Sequence, residues 1–250
     1  MDINQTLASL KDEMIGRIAN LLARPILTYL NESTDRAITP ARLLFEESRK
    51  ESMQFFKDRM EKALLFETVA DTWQTVMRLV LQEPAFQEKP GLFLEFGVHE
   101  GVSTNFFAQL LAPRGIRLTG FDAFKGLEEE WTGSRFSPGD FDRNGQPPPV
   151  NPNVDLQIGW VQDTLPGFLA ANMGLPCYFA HLDFDTYTPT AFALKQIKPR
   201  LVKGSILLFD ELYGYPGWRD HEYKALMEVL DESSYEYIVF GPQQVAIRIV

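Results

Sequence analysis

The chain has 250 residues, 45% of them hydrophobic and 23% charged, which is the composition of an ordinary globular protein. Its 34 acidic and 24 basic residues give a formal net charge of −10, which argues against a nucleic acid or an anionic membrane as its partner. No apolar run approaches the roughly 20 residues that span a bilayer. The start of the chain lacks the basic residues of a signal peptide, and Cys177 is the only cysteine. We therefore expect a cytoplasmic protein without an intrachain disulfide.

The first ninety residues have helical periodicity. Apolar residues recur at three- and four-residue steps over residues 7–22, which predicts an amphipathic helix that Pro25 ends. Thr39 and Pro40 predict the start of a second helix, with Thr39 as its cap, and a third helix is predicted over residues 69–81. We expect residues 1–90 to form a helical region that caps a ligand site, mediates oligomerisation, or does both, and we expect a homo-oligomer.

From Gly91 onward strands and helices alternate, which is typical of a parallel sheet. Strands are predicted at residues 92–96, 117–121, 155–161, 177–182 and 205–209, and helices at 102–111, 165–172, 189–197 and 221–231. Two final strands, 235–240 and 245–249, are predicted to form an antiparallel hairpin around Gly241. The expected fold class is α/β, with a doubly wound, mostly parallel sheet in residues 91–250 and the helical region as an N-terminal extension.

Residues 125–154 interrupt this alternation with four glycines and five prolines. Loops longer than about 15 residues are uncommon in compact domains and are often lids. Because the segment follows the carboxyl end of a strand, we expect it to cover the ligand edge of the sheet. The alternative is a surface loop without function.

Three acidic residues follow two of the predicted strands. Asp185 comes after the strand at 177–182, and Asp210 and Glu211 come after the strand at 205–209. The carboxyl ends of neighbouring parallel strands share one edge, where ligands bind. Three carboxylates at one point repel each other unless a cation joins them, which favours a divalent ion such as Mg²⁺. In the alternative, Asp185 caps the next helix and the other two residues are solvated.

The strand at 92–96 leads into a glycine-containing turn and then a helix. Gly97 and Gly101 permit a tight turn, but His99 stands where the G-x-G-x-x-G fingerprint of dinucleotide sites has its second glycine. This favours a ligand without phosphates, such as S-adenosylmethionine. Glu95 would then face the ammonium group of the ligand or order the turn. Asp122, at the end of the next strand, would accept hydrogen bonds from ribose hydroxyls.

Four segments carry a family resemblance over approximately residues 91–225: E-F-G-V-H-E-G-V-S, F-D-A-F-K-G-L, H-L-D-F-D-T-Y and L-F-D-E-L-Y-G. Together they resemble the TylF/MycF/NovP-type (macrocin O-methyltransferase-like) enzymes. Members of that family are class I methyltransferases that use S-adenosylmethionine and a divalent metal to methylate sugar hydroxyls in glycosylated natural products. The resemblance implies the same fold, cofactor and metal, and a small hydroxylated acceptor that carries a sugar.

The resemblance also implies roles for individual positions. The metal-ligand positions are Asp185, Asp210 and Glu211, and a general-base position is Asp183. The cofactor-binding segments contain Glu95, Phe96, Gly97, Gly101, Ser103 and Asp122, and the stretch that borders the adenine contains Gln162 and Asp163. This chain departs from the family at Glu211, where an aspartate is usual.

A sugar hydroxyl is a poor nucleophile until it loses its proton, so the reaction requires a base. Asp183 is one candidate, because it lies two positions before Asp185 on the same side of an extended strand end. His221 is the other, because histidine titrates near neutral pH, although a residue at a helix start can instead bond to a neighbouring acid. A catechol is the alternative acceptor, since it chelates a metal in the same way. A nicotinamide-dependent oxidoreductase and a non-catalytic assembly protein are the alternatives from other classes.

Overall fold

The computed structural model describes residues 39–86 and 89–250. The chain divides into two compact units, Met1–Leu43 and Leu44–Val250. The helix predicted over residues 7–22 lies outside the described residues, as does Pro25. In the described part of the chain, no helix has the length and apolar character needed to cross a membrane.

The described helices alternate with the strands of one sheet. They are α1 (Pro40–Met60), α2 (Val69–Gln82), α3 (Val102–Leu111), α4 (Val161–Ala171), α5 (Tyr187–Ile197) and α6 (Glu222–Val229), with short 3-10 turns at Pro84–Phe86, Ala112–Arg114, Lys198–Arg200, Trp218–Asp220 and Glu232–Ser234. The Thr39 hydroxyl accepts a hydrogen bond from the Arg42 backbone N–H (3.2 Å), which confirms the predicted cap of α1.

The sheet contains eight strands: β1 (Leu64–Leu65), β2 (Leu92–Phe96), β3 (Leu118–Asp122), β4 (Val154–Ile158), β5 (Cys177–Leu182), β6 (Leu201–Phe209), β7 (Tyr235–Phe240) and β8 (Val245–Ile249). Their spatial order is β1-β7-β8-β6-β5-β2-β3-β4. Strand β8 runs antiparallel to β6 and β7, and the other neighbouring pairs are parallel. The predicted α/β class and the antiparallel C-terminal hairpin are therefore confirmed.

Helices cover both faces of the sheet, as a doubly wound fold requires. On one face, Phe56 of α1 belongs to the same buried cluster as residues of β5 and β6, and its ring lies 5.7 Å from that of Phe240 on β7. On the other face, Val76 and Met77 of α2 pack with Phe107 of α3. Residues 44–90 thus share one compact unit with the sheet.

The strand order reverses at β2, which has β5 on one side and β3 on the other. In open α/β sheets, ligands bind beside the carboxyl ends of the strands at such a reversal. The turn after β2 and the acidic residues after β5 and β6 all lie at this edge.

Candidate active site

A cavity of about 360 Å³ opens at the carboxyl edge of the sheet, within the range of small-molecule pockets. Three parts of the chain line it: the strand ends and turns that hold Gly97, His99, Asp122 and Gly159–Gln162; the acidic residues Asp183, Asp185 and Glu211; and the aromatic residues Trp131, Phe136 and Phe141 of residues 125–154. The cavity therefore joins the glycine turn to the acidic residues, and the predicted lid segment forms one of its walls.

The glycine turn has a backbone that requires glycine. Gly97 has a φ of +92°, and a Cβ built on it would lie 1.8 Å from the backbone oxygen of Asp183. Gly101, also at positive φ (+75°), is the N-cap of α3. The turn thus lies directly against the chain that carries the acidic residues, with no side chain between them.

Asp122 holds the glycine turn in place. Its Oδ2 accepts hydrogen bonds from the backbone N–H groups of Val98 and His99, both at 2.8 Å. Its Oδ1 accepts one from the Phe124 N–H at 2.6 Å. Asp122 also lines the cavity, and its three hydrogen bonds order the turn. A contact with ribose remains a prediction.

Among the other predicted cofactor residues, Gln162 lines the cavity, and its Nε2 donates a hydrogen bond to Glu128 (2.8 Å). Asp163 is exposed on the first turn of α4, while Phe96 and Ser103 are buried beneath the turn. These last three residues lie outside the lining of the cavity.

Glu95 is fully buried, and its Oε1 lies 3.0 Å from Nδ1 of His181. It lies outside the lining of the cavity, because its side chain points beneath the turn. Its side chain contacts His181 rather than the turn, and both of its predicted roles stay predictions.

Four acidic residues, which we call the acid cluster, meet beside the turn: Asp183, Asp185, Asp210 and Glu211. Carboxylate oxygens of Asp183, Asp185 and Glu211 lie within 4.8 Å of one another, and so do ligand atoms of Asp183, Asp210 and His181. Asp183 belongs to both groups. Asp185 and Glu211, which follow β5 and β6, therefore lie together as expected, whereas Asp210 groups with Asp183 and His181.

The acid cluster carries more negative charge than its buried position readily accommodates. Burial and the charge of Asp210 raise the pKa of Asp185 to about 7. The same two causes raise the pKa values of Asp183 and Glu211 well above the usual range. Without a cation, several of these groups keep their protons near neutral pH.

Asp210 behaves differently from its neighbours. Its Oδ1 lies 3.3 Å from Nε2 of His181 and accepts a hydrogen bond from Gln244. Burial alone would raise the pKa of Asp210, but the hydrogen bond and charge of His181 outweigh it and lower the pKa. Burial would likewise lower the pKa of His181, but Asp210 and Glu95 raise it well above its usual value. Each of the two groups therefore favours the charged form of the other.

The comparisons with known proteins agree with this geometry. Residues 94–212 match a family model described as a methyltransferase domain. The solved structure of CalS11, a calicheamicin methyltransferase, is 25% identical, has a TM-score of 0.57, and aligns over 88% of this chain and 90% of its own. The chain has the fold of the class I methyltransferases, and residues 94–212 match a methyltransferase domain. Enzymes of this class take the methyl group from S-adenosylmethionine, which is therefore the cofactor of this domain.

Two further proteins are similar to this methyltransferase, one in fold and one in sequence. The structure of the O-methyltransferase NovP is 18% identical with a TM-score of 0.52, over 71% of this chain and 79% of its own, and shows the fold alone. A tetracenomycin rhamnosyl 4'-O-methyltransferase of Streptomyces olivaceus is 28% identical over 170 residues, or 58% of this chain. The alignment spans 62% of the length of that relative.

His221 of the methyltransferase lies away from the cavity lining. It is 4% exposed, and its Nε2 lies 3.2 Å from the backbone oxygen of Thr132. Burial lowers its pKa, so the neutral ring can donate a hydrogen bond to that carbonyl. His221 therefore connects the lid segment to the body of the domain, and its role as a base stays a prediction.

The lid segment, residues 125–154, is ordered by packing against that body. Gly133 and Gly217 have positive φ values. A Cβ on Gly133 would lie 1.7 Å from the backbone oxygen of Pro216, and a Cβ on Gly217 would lie 2.3 Å from that of Thr132. Glu129 also accepts hydrogen bonds from the N–H and hydroxyl of Thr188 at 2.7 and 2.6 Å. The two loops cross backbone to backbone, and glycine is required at both points.

The sequence reasoning missed three buried residues beside the acid cluster: His181, Gln244 and Glu222. Glu222 is fully buried, its Oε2 accepts a hydrogen bond from the Glu211 N–H (3.1 Å), and burial with the charge of Asp210 raises its pKa well above the usual range. Only His181 had a sequence pattern that could have revealed it, since it alternates with Asp183 and Asp185 in H-L-D-F-D.

Proposed function

We propose that this methyltransferase transfers the methyl group of S-adenosylmethionine to a hydroxyl of a small, sugar-bearing acceptor, with the help of a divalent cation. The observation that carries the proposal is the single cavity that joins the glycine turn to the acid cluster. A methyl donor at the turn and a polar acceptor at the acid cluster would share this cavity. The relatives support the choice of acceptor, because one is named for a rhamnosyl 4'-hydroxyl and CalS11 is described as a TDP-rhamnose 3'-O-methyltransferase, 26% identical.

The donor half of the site is the turn after β2. Methyl transfer is an in-line displacement at a sulfonium carbon, so the nucleophile must lie opposite the leaving sulfur. Gly97 lets the backbone approach a ligand closely, while Asp122 fixes the turn. Gln162 lines the same cavity, and we assign it to the adenine end of the donor. These residues bind and orient the donor.

The acceptor half is the acid cluster, and its residues suit a hard divalent ion such as Mg²⁺. We assign Asp185, Asp210 and Glu211 as the residues that hold it. The raised pKa values of Asp185 and Glu211 fit this assignment, because a cation would offset the repulsion between the carboxylates. The buried Oε2 of Glu211, which has no hydrogen-bond partner, fits it as well. Such an ion, when bound, supplies a Lewis acid that lowers the pKa of a sugar hydroxyl.

We assign Asp183 as the base. It lines the cavity and belongs to both groups of potential ligand atoms, so it lies beside any hydroxyl held at the cluster. Burial and the charge of Asp210 raise its pKa, and a cation held at the cluster would favour its carboxylate form, which can accept the proton. His221 is occupied by Thr132 instead.

The test measures binding and turnover separately. Calorimetry with S-adenosylhomocysteine should show binding, and radiolabelled S-adenosylmethionine should methylate 4-nitrophenyl α-L-rhamnoside or TDP-rhamnose in a reaction that EDTA stops and Mg²⁺ restores. Failure to bind S-adenosylhomocysteine would sink the proposal. Methylation of catechol but of neither rhamnose compound would support the catechol alternative. Turnover that EDTA does not affect would contradict the metal part of the proposal.

A further inference from the structure

A row of hydrogen-bonded side chains crosses the sheet beneath the site. It runs from Glu95 at the end of β2 to His181 on β5, then to Asp210 after β6 and to Gln244 before β8. The ring nitrogens of His181 lie 3.0 Å from Glu95 Oε1 and 3.3 Å from Asp210 Oδ1. The row therefore links the root of the glycine turn to the acid cluster.

Strand register and packing fix His181 in this position. Glu95 and His181 are direct partners in the parallel pairing of β2 with β5, so their side chains leave the same face of the sheet. The imidazole ring is fully buried, with the ring of Phe107 at 5.1 Å and that of Trp73 at 6.3 Å. Rotation of the ring out of this slot would collide with its aromatic neighbours.

His181 also lies at ligand distance from Asp183 and Asp210. Its Nδ1 contacts Glu95 and its Nε2 contacts Asp210, so each ring nitrogen faces a carboxylate oxygen.

Both donors to Asp210 use the same oxygen. Nε2 of His181 and Nε2 of Gln244 each contact Oδ1, which leaves Oδ2 without either of them. A carboxylate whose one oxygen is held from two sides has a fixed plane, and its other oxygen has a fixed direction. Hydrogen bonds of this kind orient metal-binding carboxylates in proteins.

We propose that His181 is the positioning residue of the acid cluster: it holds Asp210 by Oδ1 so that Oδ2 is presented to a divalent cation, and Glu95 holds His181 in turn. The inference rests on the metal site of the proposed function. Because Glu95 acts on Asp210 only through His181, its effect on cation binding depends on the presence of that histidine.

The experiment is calorimetric titration of the full chain with Mn²⁺. The affinity for S-adenosylhomocysteine and the unfolding temperature of each variant are measured in parallel. His181→Phe should weaken Mn²⁺ binding about 10- to 100-fold, the range seen when such outer partners are removed, and should change S-adenosylhomocysteine affinity less than about threefold. His181→Gln keeps one hydrogen-bond donor, so its Mn²⁺ affinity should lie between those of the wild type and His181→Phe. It replaces the phenylalanine variant if that variant does not fold. Glu95→Gln should weaken Mn²⁺ binding in the wild-type background and have no further effect beside His181→Phe.

Ser205→Ala is the matched control for lost packing. Ser205 is fully buried on β6 and donates to the Cys177 carbonyl at 2.7 Å, away from the acid cluster, so its loss should lower the unfolding temperature and leave Mn²⁺ binding unchanged. If the wild type binds Mn²⁺ and His181→Phe binds it equally well, the inference is overturned while the proposed function stands. If the wild type binds no Mn²⁺, the metal part of the proposed function fails, and the inference fails with it.

Discussion

The backbone of Gly97 lies in direct contact with that of Asp183. A Cβ on Gly97 would lie 1.8 Å from the Asp183 carbonyl oxygen, and the Asp183 N–H donates to the Phe96 carbonyl at 2.8 Å. Only the spacing of two paired strands therefore separates the turn from Asp183. The turn is expected to hold the methyl donor, and Asp183 is the proposed base. This contact explains how one small cavity can serve both halves of the reaction.

Gly97→Ala should abolish binding of S-adenosylhomocysteine, because the added methyl group forces β2 and β5 apart at the site. Gly115→Ala is the control, since Gly115 also has a positive φ (+65°) but nothing lies within 4 Å of its Cβ position. Both variants carry the roughly 1–2 kcal/mol cost of a left-handed alanine, and chemical denaturation measures it. Equal losses of stability and of binding in the two variants would show that the contact with Asp183 is unimportant.

Metal binding should depend on pH through Asp185. Its pKa is raised to about 7, so the protonated form grows as pH falls through 7, whereas a cation requires the carboxylate. The Mn²⁺ affinity should fall at least about tenfold from pH 8 to pH 6, with proton release on binding that changes the calorimetric heat between buffers. Asp185→Asn should weaken binding throughout, and the exposed Asp58→Asn should not. An affinity that stays constant from pH 6 to pH 8 would contradict the assignment.

The convergence of the acid cluster could be predicted from the sequence because it follows from a topological rule. Strand ends at 182 and 209 share an edge whatever the details of packing, so Asp185 and Asp210 had to approach each other. The turn at Gly97 could also be predicted, since glycine and the strand before it are local features. Strand β6 begins at Leu201, earlier than predicted, because Leu201 pairs with Cys177 of β5. Lys203 and Gly204, which are poor strand residues, lie in the irregular stretch before the next pair, Ile206 with Phe179.

The row of residues behind the cluster could not be predicted in the same way. The bond from His181 to Glu95 depends on the register of β5 against β2, and a shift of one residue would turn the histidine to the other face. The bond from Glu222 to the Glu211 N–H depends on how the segment between them folds back. His221 illustrates the converse, because its chemistry suits a base while its position ties it to Thr132.

Substitution of the two candidate bases should separate their roles. Asp183→Asn should lower kcat for 4-nitrophenyl α-L-rhamnoside about 10²- to 10⁴-fold, the usual contribution of a positioned base. His221→Phe should leave kcat within about tenfold of the wild type, because His221 lies outside the cavity lining, and should raise KM by loosening the lid. Steady-state kinetics at saturating S-adenosylmethionine give both constants. A larger loss of kcat in His221→Phe than in Asp183→Asn would reverse the assignment.

The crossing of the lid with the loop before α6 should control access to the cavity. Gly133→Ala places a Cβ 1.7 Å from the Pro216 carbonyl, so the two backbones must separate, and Trp131, beside the crossing, would be displaced from the cavity wall. We expect faster tryptic cleavage after Arg135 and a raised KM for the rhamnoside. Gly139→Ala is the matched control, because Gly139 lies in the same lid with nearly the same φ (+87°) and nothing within 4 Å of its Cβ position. Since both variants carry the same backbone strain, the difference between them measures the crossing alone, and identical cleavage rates would show that this contact does not hold the lid.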